Sequence, residues 1–336
     1  MRTFLTLCGA ATLTAASLTG CIAASEAQDD TSDLAADTPH RAEQPAACPA
    51  AGPALQVLGS GGPIAEAADG IGRAGTSYLL WIDGEPRLLI DAGEGSFLGF
   101  AQAGGKVASL DAILLTHLHA DHAGDLSGIL NTGGFEGRTE PLPIIGPDGG
   151  ERIPATSEFL RRLIGKEAGA FSYNGGYLDG SEGKVLLEPR DIVTGGGAAA
   201  PSGLDISNDY SVMALPVDHS FAPALGYEIE IGGKSVVITG DQNAFSAGFE
   251  NALAGSKPAV LFAHHVIHGG SGQPRGLHRT PGQIGELAAG LEPDRVVLTH
   301  NMQRSLSRLD EGLAAIAESY SGPVSVARDL DCYPLD

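Results

Sequence analysis

Positive charge is what this 336-residue chain has least of: 20 Lys and Arg face 41 Asp and Glu, for a formal net charge of -21. So acidic a chain opposes long-range attraction to nucleic acid and to anionic lipid. A bulky polyanionic substrate is therefore disfavoured, though a local positive pocket can still hold one small anionic group. Cysteine is scarce too, with four in the whole chain. No internal repeat of solenoid length is present, which excludes a stacked-repeat architecture. Gly59–Gly62 lacks the Lys-Ser/Thr ending of a phosphate-binding P-loop, and no dinucleotide spacing follows it. It reads instead as a tight turn that lets backbone approach the floor of a site.

What the chain does have begins with a short basic start, Met1–Arg2–Thr3, and an apolar, small-residue run through Leu18. That run is too short and too alanine-rich to read first as a membrane anchor, and reads as a secretory signal. It ends in Leu18–Thr19–Gly20–Cys21, which resembles the bacterial lipobox, where cleavage precedes a cysteine that is then acylated. The expectation is a signal peptide over 1–20, an acidic flexible tether over 21–52 and a folded domain over 53–336. Lipid on Cys21 would be the sole link to a membrane, placing the protein in the cell envelope. Ile22 after Cys21, rather than Asp, mildly favours the outer membrane. Cys8 leaves with the signal, so Cys48 and Cys332 remain; an oxidising envelope would allow them to pair, and sequence leaves open whether they do.

Apolar runs of strand length recur at Leu55–Leu58, Ser77–Ile82, Arg87–Ile90, Ala112–Leu115, Val212–Pro216, Ser235–Ile238, Ala259–Phe262 and Arg295–Leu298. Helical stretches lie around Ser157–Ile164, Pro281–Leu291 and Ser307–Ser319. Strands interleaved with helices predict an α/β layered domain. Residues 130–210 are glycine-rich and weakly patterned.

Several of these strands deliver a histidine or aspartate where they stop: Ala112–Thr116 into His117, Leu215–Asp218 into His219, Ser235–Gly240 into Asp241, and Arg295–Thr299 into His300. Such residues lie on one rim of a sheet and can converge on one cleft. The dense cluster is His117-Leu-His119-Ala-Asp121-His122, where spacing by two on an extended segment turns His117 and His119 the same way. Asp121 and His122 then open a helix running through Leu126. Three histidines and an aspartate within six residues have no packing rationale, whereas imidazoles and carboxylates at this density suit zinc or a similar divalent ion. One such cluster is too small for two ions, and His219, Asp241 and His300 make up the shortfall.

With a strand ahead of it, His117-x-His119-x-Asp121-His122 matches the signature of the metallo-β-lactamase superfamily. Val57-Leu-Gly-Ser-Gly-Gly-Pro63, Asp91-Ala-Gly-Glu-Gly-Ser96, Ala224-Leu-Gly-Tyr-Glu-Ile-Glu230 and His278-Arg-Thr280 resemble the branch holding ribonuclease Z and metal-dependent arylsulfatases. The likeness spans residue 55 to 305. It implies a single-domain, four-layer αββα sandwich and two zinc ions, with manganese or iron as alternatives. His117, His119 and His219 would hold the first ion, Asp121, His122 and His300 the second, and Asp241 would bridge them. Asp91 would orient a ligand, Asp121 would also orient the nucleophile, and His278 would stand beside the scissile group, stabilising charge or protonating the leaving oxygen.

The activity so implied is dinuclear metal-dependent hydrolysis of a small phosphodiester or sulfate ester by a hydroxide that bridges the ions. A lactonase or β-lactamase stays open, although a β-lactamase more often places Cys where Asp241 stands, and so does a metal- or ligand-binding lipoprotein without turnover. The chain also departs from the ribonuclease Z pattern. It reads His264-His265-Val266-Ile267 where those proteins usually carry His-Glu-Ala-Thr, and Gly240-Asp241-Gln242-Asn243-Ala244 where they carry Gly-Asp-Thr-Arg-Pro. It lacks a basic glycine/proline-rich arm. The expected partner is accordingly a small-molecule ester rather than nucleic acid, with homodimerisation left open.

Overall fold

Strands such as Ser77–Ile82 and Val296–Thr299 are apolar at nearly every position rather than at alternate ones, and the fold supplies the reason: both faces are covered. The computed structural model describes Cys48, residues 50–67 and residues 70–335. The expected signal, the expected acylation site Cys21 and the expected tether up to residue 47 lie outside these described residues.

Two seven-stranded mixed sheets form the centre. The first runs in the order β14 (Cys332–Pro334), β1 (Pro53–Gly59), β2 (Ser77–Ile82), β3 (Glu85–Ile90), β4 (Ala112–Leu114), β5 (Leu142–Pro147) and β6 (Leu187–Ile192). The second runs β13 (Val324–Val326), β12 (Val296–Thr299), β11 (Val260–His264), β10 (Lys234–Ile238), β9 (Ala222–Ile231), β8 (Ser211–His219) and β7 (Ser202–Leu204).

Neighbouring residues on a strand divide between two cores. Leu55, Val57, Tyr78, Leu80, Leu88 and Ile90 face Tyr227, Val236, Ile238 and Phe262 between the sheets. Leu58, Leu79 and Leu89 point outward, against α1 (Ser96–Ala103), α3 (Leu126–Gly133) and α4 (Thr156–Ile164). On the far side, Val237, Leu261 and Leu298 pack on α5 (Ala247–Ala252), α6 (Pro281–Leu291) and α8 (Leu309–Ala317). This is the expected αββα sandwich.

The strands read from sequence all form, and α4 and α6 lie where the periodicity placed them. The helix expected to run from Asp121 through Leu126 is divided: α2 (Ala120–Ala123) ends, and α3 begins after Gly124 and Asp125. Residues 130–210 contain β5, β6 and β7 besides α4.

Within the first sheet β3, β4, β5 and β6 are parallel, and within the second β10, β11, β12 and β13 are parallel. Their carboxyl ends form rims at which α/β sheets place their ligands. At the opposite edge β14 pairs antiparallel with β1, Leu55 against Tyr333, and a Cys48–Cys332 disulfide spans 5.4 Å between Cα atoms.

Candidate metal centre

β3 leads to Asp91, β4 leads to His117, β8 ends in His219, β10 leads to Asp241, β11 ends in His264 and β12 leads to His300. All of these side chains are buried. His117 Nε2 lies 2.9 Å from His119 Nδ1, so the two rings do turn the same way. Ligand atoms of His117, His119 and His219 all lie within 4.8 Å of one another. A second group stands beside them: His122 Nε2 is 3.1 Å from His300 Nε2, and Asp121 Oδ2 is 3.1 Å from the same His300 atom. Two ligand nitrogens on one tetrahedral zinc, with bonds of about 2.0–2.1 Å, stand roughly 3.3 Å apart, so both nitrogen pairs sit near the spacing of a shared ion.

Asp241 lies between the two groups. Its Oδ2 is 4.0 Å from His117 Nε2, 3.7 Å from His219 Nε2 and 3.9 Å from His122 Nε2, while its Oδ1 is 3.4 Å from His300 Nε2. Gly240 ahead of it has φ +61°, and a Cβ there would come 2.3 Å from Leu225 O, so only glycine permits this approach. Gly62, in the turn after β1, lies against the ring of His300: a Cβ would come 2.5 Å from its Cε1. The glycine turn therefore floors the site. Asp91 and His300 themselves adopt left-handed φ values of 59° and 53°, local strain of the kind that functional sites retain.

The outer nitrogens are fixed by hydrogen bonds. Asp91 Oδ2 is 2.8 Å from His122 Nδ1, and the same carboxylate accepts from the Thr116 N–H and hydroxyl, each at 2.7 Å. His219 Nδ1 donates to Leu277 O at 3.0 Å, which leaves its Nε2 lone pair facing inward. His278 stands near Asp241 and His219, its Nδ1 3.7 Å from Asp241 Oδ2 and without a hydrogen-bond partner. Thr280 caps α6 in a capping box with Gln283, and Pro281 follows, so His278 is held at the mouth just ahead of a well-defined helix start.

His264 falls in a spatial group with His122, Asp241 and His300. Both of its nitrogens are already engaged, Nδ1 with Asp241 Oδ1 at 2.6 Å and Nε2 with the Tyr78 hydroxyl at 3.0 Å. Asp121 has no such competing partner and faces His300 and His122, so it remains the better fourth member of that group. Sequence reading did not single out Tyr78 or Thr299, whose side chains complete the chain of hydrogen bonds. His265 bonds Asn301, and His268 contacts Arg308; neither joins the cluster.

The residues that depart from the ribonuclease Z pattern brace the rim. Gln242 Oε1 accepts from the buried Arg279 at 3.0 Å, and Asn243 Nδ2 donates to Asp218 Oδ1 and to Gly276 O. The segments bearing Asp241, His219 and His278 are thereby tied together.

Three carboxylates, Asp91, Asp121 and Asp241, are buried here. Burial raises the Asp121 carboxyl, yet His122 and His300 outweigh it and bring it to about 2. Asp241 is likewise held well below the usual carboxylate range, against burial, by His300 and His278. Burial lowers His117 and His119, with neighbouring imidazoles adding to the effect. Ionised carboxylates buried this deeply need positive charge beside them, which His122 and His300 supply in the metal-free protein and a bound cation would supply in their place. The donor set and its spacing fit divalent ions.

A family profile described as the Metallo-beta-lactamase superfamily matches residues 70–300, a span that holds Asp91 through His300. Ribonuclease Z of Mycolicibacterium paratuberculosis is 31% identical over 297 residues, covering 84% of this chain and 98% of the relative. Ribonuclease Z of Mycolicibacterium gilvum is 34% identical over 217 residues, covering 63% of this chain and 68% of the relative. Among solved structures, the short form of human tRNase Z superposes with a TM-score of 0.62 at 20% identity, covering 84% of this chain and 99% of the other. YhfI of Bacillus subtilis, a metallo-beta-lactamase fold protein, gives 0.63 at 19% identity, covering 84% and 99%. These likenesses at low identity bear on the fold.

Proposed function

The chain belongs to the metallo-β-lactamase superfamily, and we propose that it is a dinuclear metal-dependent phosphodiesterase. The observation that carries this reading is the position of Asp241 between two histidine groups, with one or other carboxylate oxygen 3.4–4.0 Å from His300, His117, His122 and His219. His117, His119 and His219 would hold one ion, Asp121, His122 and His300 the other, and Asp241 both. Zinc suits this nitrogen-rich set best, with manganese or iron as alternatives.

When bound, such a pair supplies an activated water near neutral pH and neutralises charge that develops on phosphoryl oxygens. The protein's own groups do the rest. Asp91 and Leu277 O fix the outer nitrogens of His122 and His219, so the inner nitrogens keep their aim. Asp121, beside His300, is placed to orient the attacking group. Burial pushes His278 down to about 3, so at neutral pH it is an uncharged imidazole. In that form it acts as a hydrogen-bond donor to the oxygen on which charge develops, in preference to delivering a full proton.

For the substrate, the net charge of -21 supports a small phosphodiester. The relatives named ribonuclease Z, matched along 98% of their length in one case, run against the expectation that nucleic acid is disfavoured. An RNA phosphodiester is therefore a second reading within the same chemistry. We also propose an envelope location with lipid on Cys21, which the Cys48–Cys332 disulfide supports because such bonds persist in oxidising compartments.

The test is hydrolysis by the zinc-loaded protein of bis-nitrophenyl phosphate, nitrophenyl sulfate, a cephalosporin and a precursor tRNA, with His119→Ala as control. Turnover of the phosphodiester, lost in the control, supports the reading. Turnover confined to the sulfate or the cephalosporin overturns it.

A further inference from the structure

β8 and β9 are joined by two residues only, Ser220 and Phe221, with His219 paired to Ala222 across the turn. Ser220 sits at φ 58°, where glycine is the usual first residue of so short a hairpin. Asp218 Oδ1 accepts the Ser220 N–H at 2.8 Å and steadies the turn. Strain of this kind persists where the surroundings over-determine it, and ligand clamps are among its common sites.

The turn presents Phe221, a large apolar side chain left 47% exposed. Its ring centroid lies 5.9 Å from that of His119, at an interplanar angle of 52°. On the same ring sits the exposed Arg152, its Cζ 5.6 Å from the centroid. Gly150 holds the Arg152 loop against this hairpin, since a Cβ there would come 3.2 Å from the Pro223 ring, and the loop closes on itself through a Gly150 N–H bond to Ile153 O. An aromatic platform and a planar cation thus stand together beside a residue of the His/Asp cluster.

We propose that Phe221 and Arg152 form a clamp for a planar aromatic substituent of the ester, an aryl group or a nucleobase. The inference rests on the phosphodiesterase reading in one respect, that the phosphoryl group sits at the His/Asp cluster. An aromatic side chain stacks any planar ring, and a guanidinium covers a ring or meets an anionic oxygen equally well. Arg152 is exposed and so has room to fold over a ring laid on Phe221.

The experiment titrates methylphosphonate, phenylphosphonate and uridine monophosphate by calorimetry into the zinc-loaded full chain, and into Phe221→Ala, Phe221→Trp and Arg152→Ala. Methylphosphonate reports the phosphoryl site alone, and zinc content is measured in each variant. The full chain is expected to bind phenylphosphonate roughly tenfold more tightly than methylphosphonate, within the range that stacking supplies. Phe221→Ala should abolish that preference without weakening methylphosphonate, Phe221→Trp should keep it, and Arg152→Ala should reduce it. Tighter binding of uridine monophosphate than phenylphosphonate identifies a nucleobase, and the reverse a plain aryl ester. No preference in the full chain, or an undiminished one in Phe221→Ala, overturns the clamp. Binding with the predicted preference but no hydrolysis of any phosphodiester would sink the phosphodiesterase reading and leave the clamp standing.

Discussion

His264 lies with Nδ1 2.6 Å from Asp241 Oδ1 and Nε2 3.0 Å from the Tyr78 hydroxyl, and the proton order in this chain follows from charge. Asp241 stays ionised and can only accept, so Nδ1 donates. Burial pulls His264 down to about 4, so its ring is neutral and Nε2 accepts from Tyr78. The Tyr78 oxygen in turn accepts a hydrogen bond from the Thr299 hydroxyl across 2.7 Å. A strand of each sheet thus contributes to fixing one carboxylate.

Removing that support should loosen the centre without removing a ligand. Tyr78→Phe strands His264 Nε2 and Thr299 in the core, a loss of about 1–3 kcal/mol of stability. Zinc affinity should fall about tenfold or more, as for other lost outer partners of a metal site. Chelator competition and thermal melting would show both. Unchanged affinity would mean that Asp241 is held without this chain.

His278 and His119 should separate in a paired measurement. His278→Ala is expected to keep its zinc and lose about a hundredfold or more in kcat, the scale of a single donor aimed at developing charge. His119→Ala should lose both zinc and turnover. Equal zinc loss in the two variants would make His278 a ligand instead.

Uptake of zinc should release a proton. Burial pulls His122 down, but Asp121 and Asp91 outweigh it and hold it up to about 9, so at neutral pH the metal-free ring is charged. A ligating nitrogen must shed that proton, so apparent affinity should rise about tenfold per pH unit up to about 9 and then level off. The metal-free fold responds in the other direction. Stability from this charged ring is fully present below the unfolded value of about 6.5 and is lost as pH rises through about 9. Calorimetry in buffers of different ionisation enthalpy gives the proton count, and a count of zero would place His122 neutral before metal arrives.

Gly62→Ala tests the floor. The added methyl would meet His300 Cε1 at 2.5 Å, and the ring has little freedom because its own backbone is already left-handed. Stability should drop by about 1–3 kcal/mol from overpacking. Bound zinc should fall towards one ion per chain. Full zinc content with unchanged melting would show that the turn gives way and the histidine does not.

The cluster was legible in sequence because each member ends an apolar run, and a strand that stops at His117, Asp241 or His300 announces a rim. α6 was legible because Thr280–Pro281 is a strong start signal. β5 and β6 escaped because Leu142–Pro147 contains two prolines and a glycine, and Leu187–Ile192 is mostly polar and half open to solvent at the sheet edge. The Tyr78–His264 contact joins residues 186 apart on different sheets. Local periodicity has no access to such a pairing. Phe221 is a lone aromatic in sequence, and only the tight hairpin makes it a platform.

The pairing of β14 with β1, locked by Cys48–Cys332 across a separation of 284 residues, sets the order in which the molecule can be finished. The first strand to leave the ribosome has only β2 to lean on until the last residues arrive, so one side of the first sheet stays an open edge throughout synthesis. Loss of a handful of residues at the carboxyl end would therefore harm the opposite end of the chain, leaving an exposed strand prone to pairing with a neighbour's.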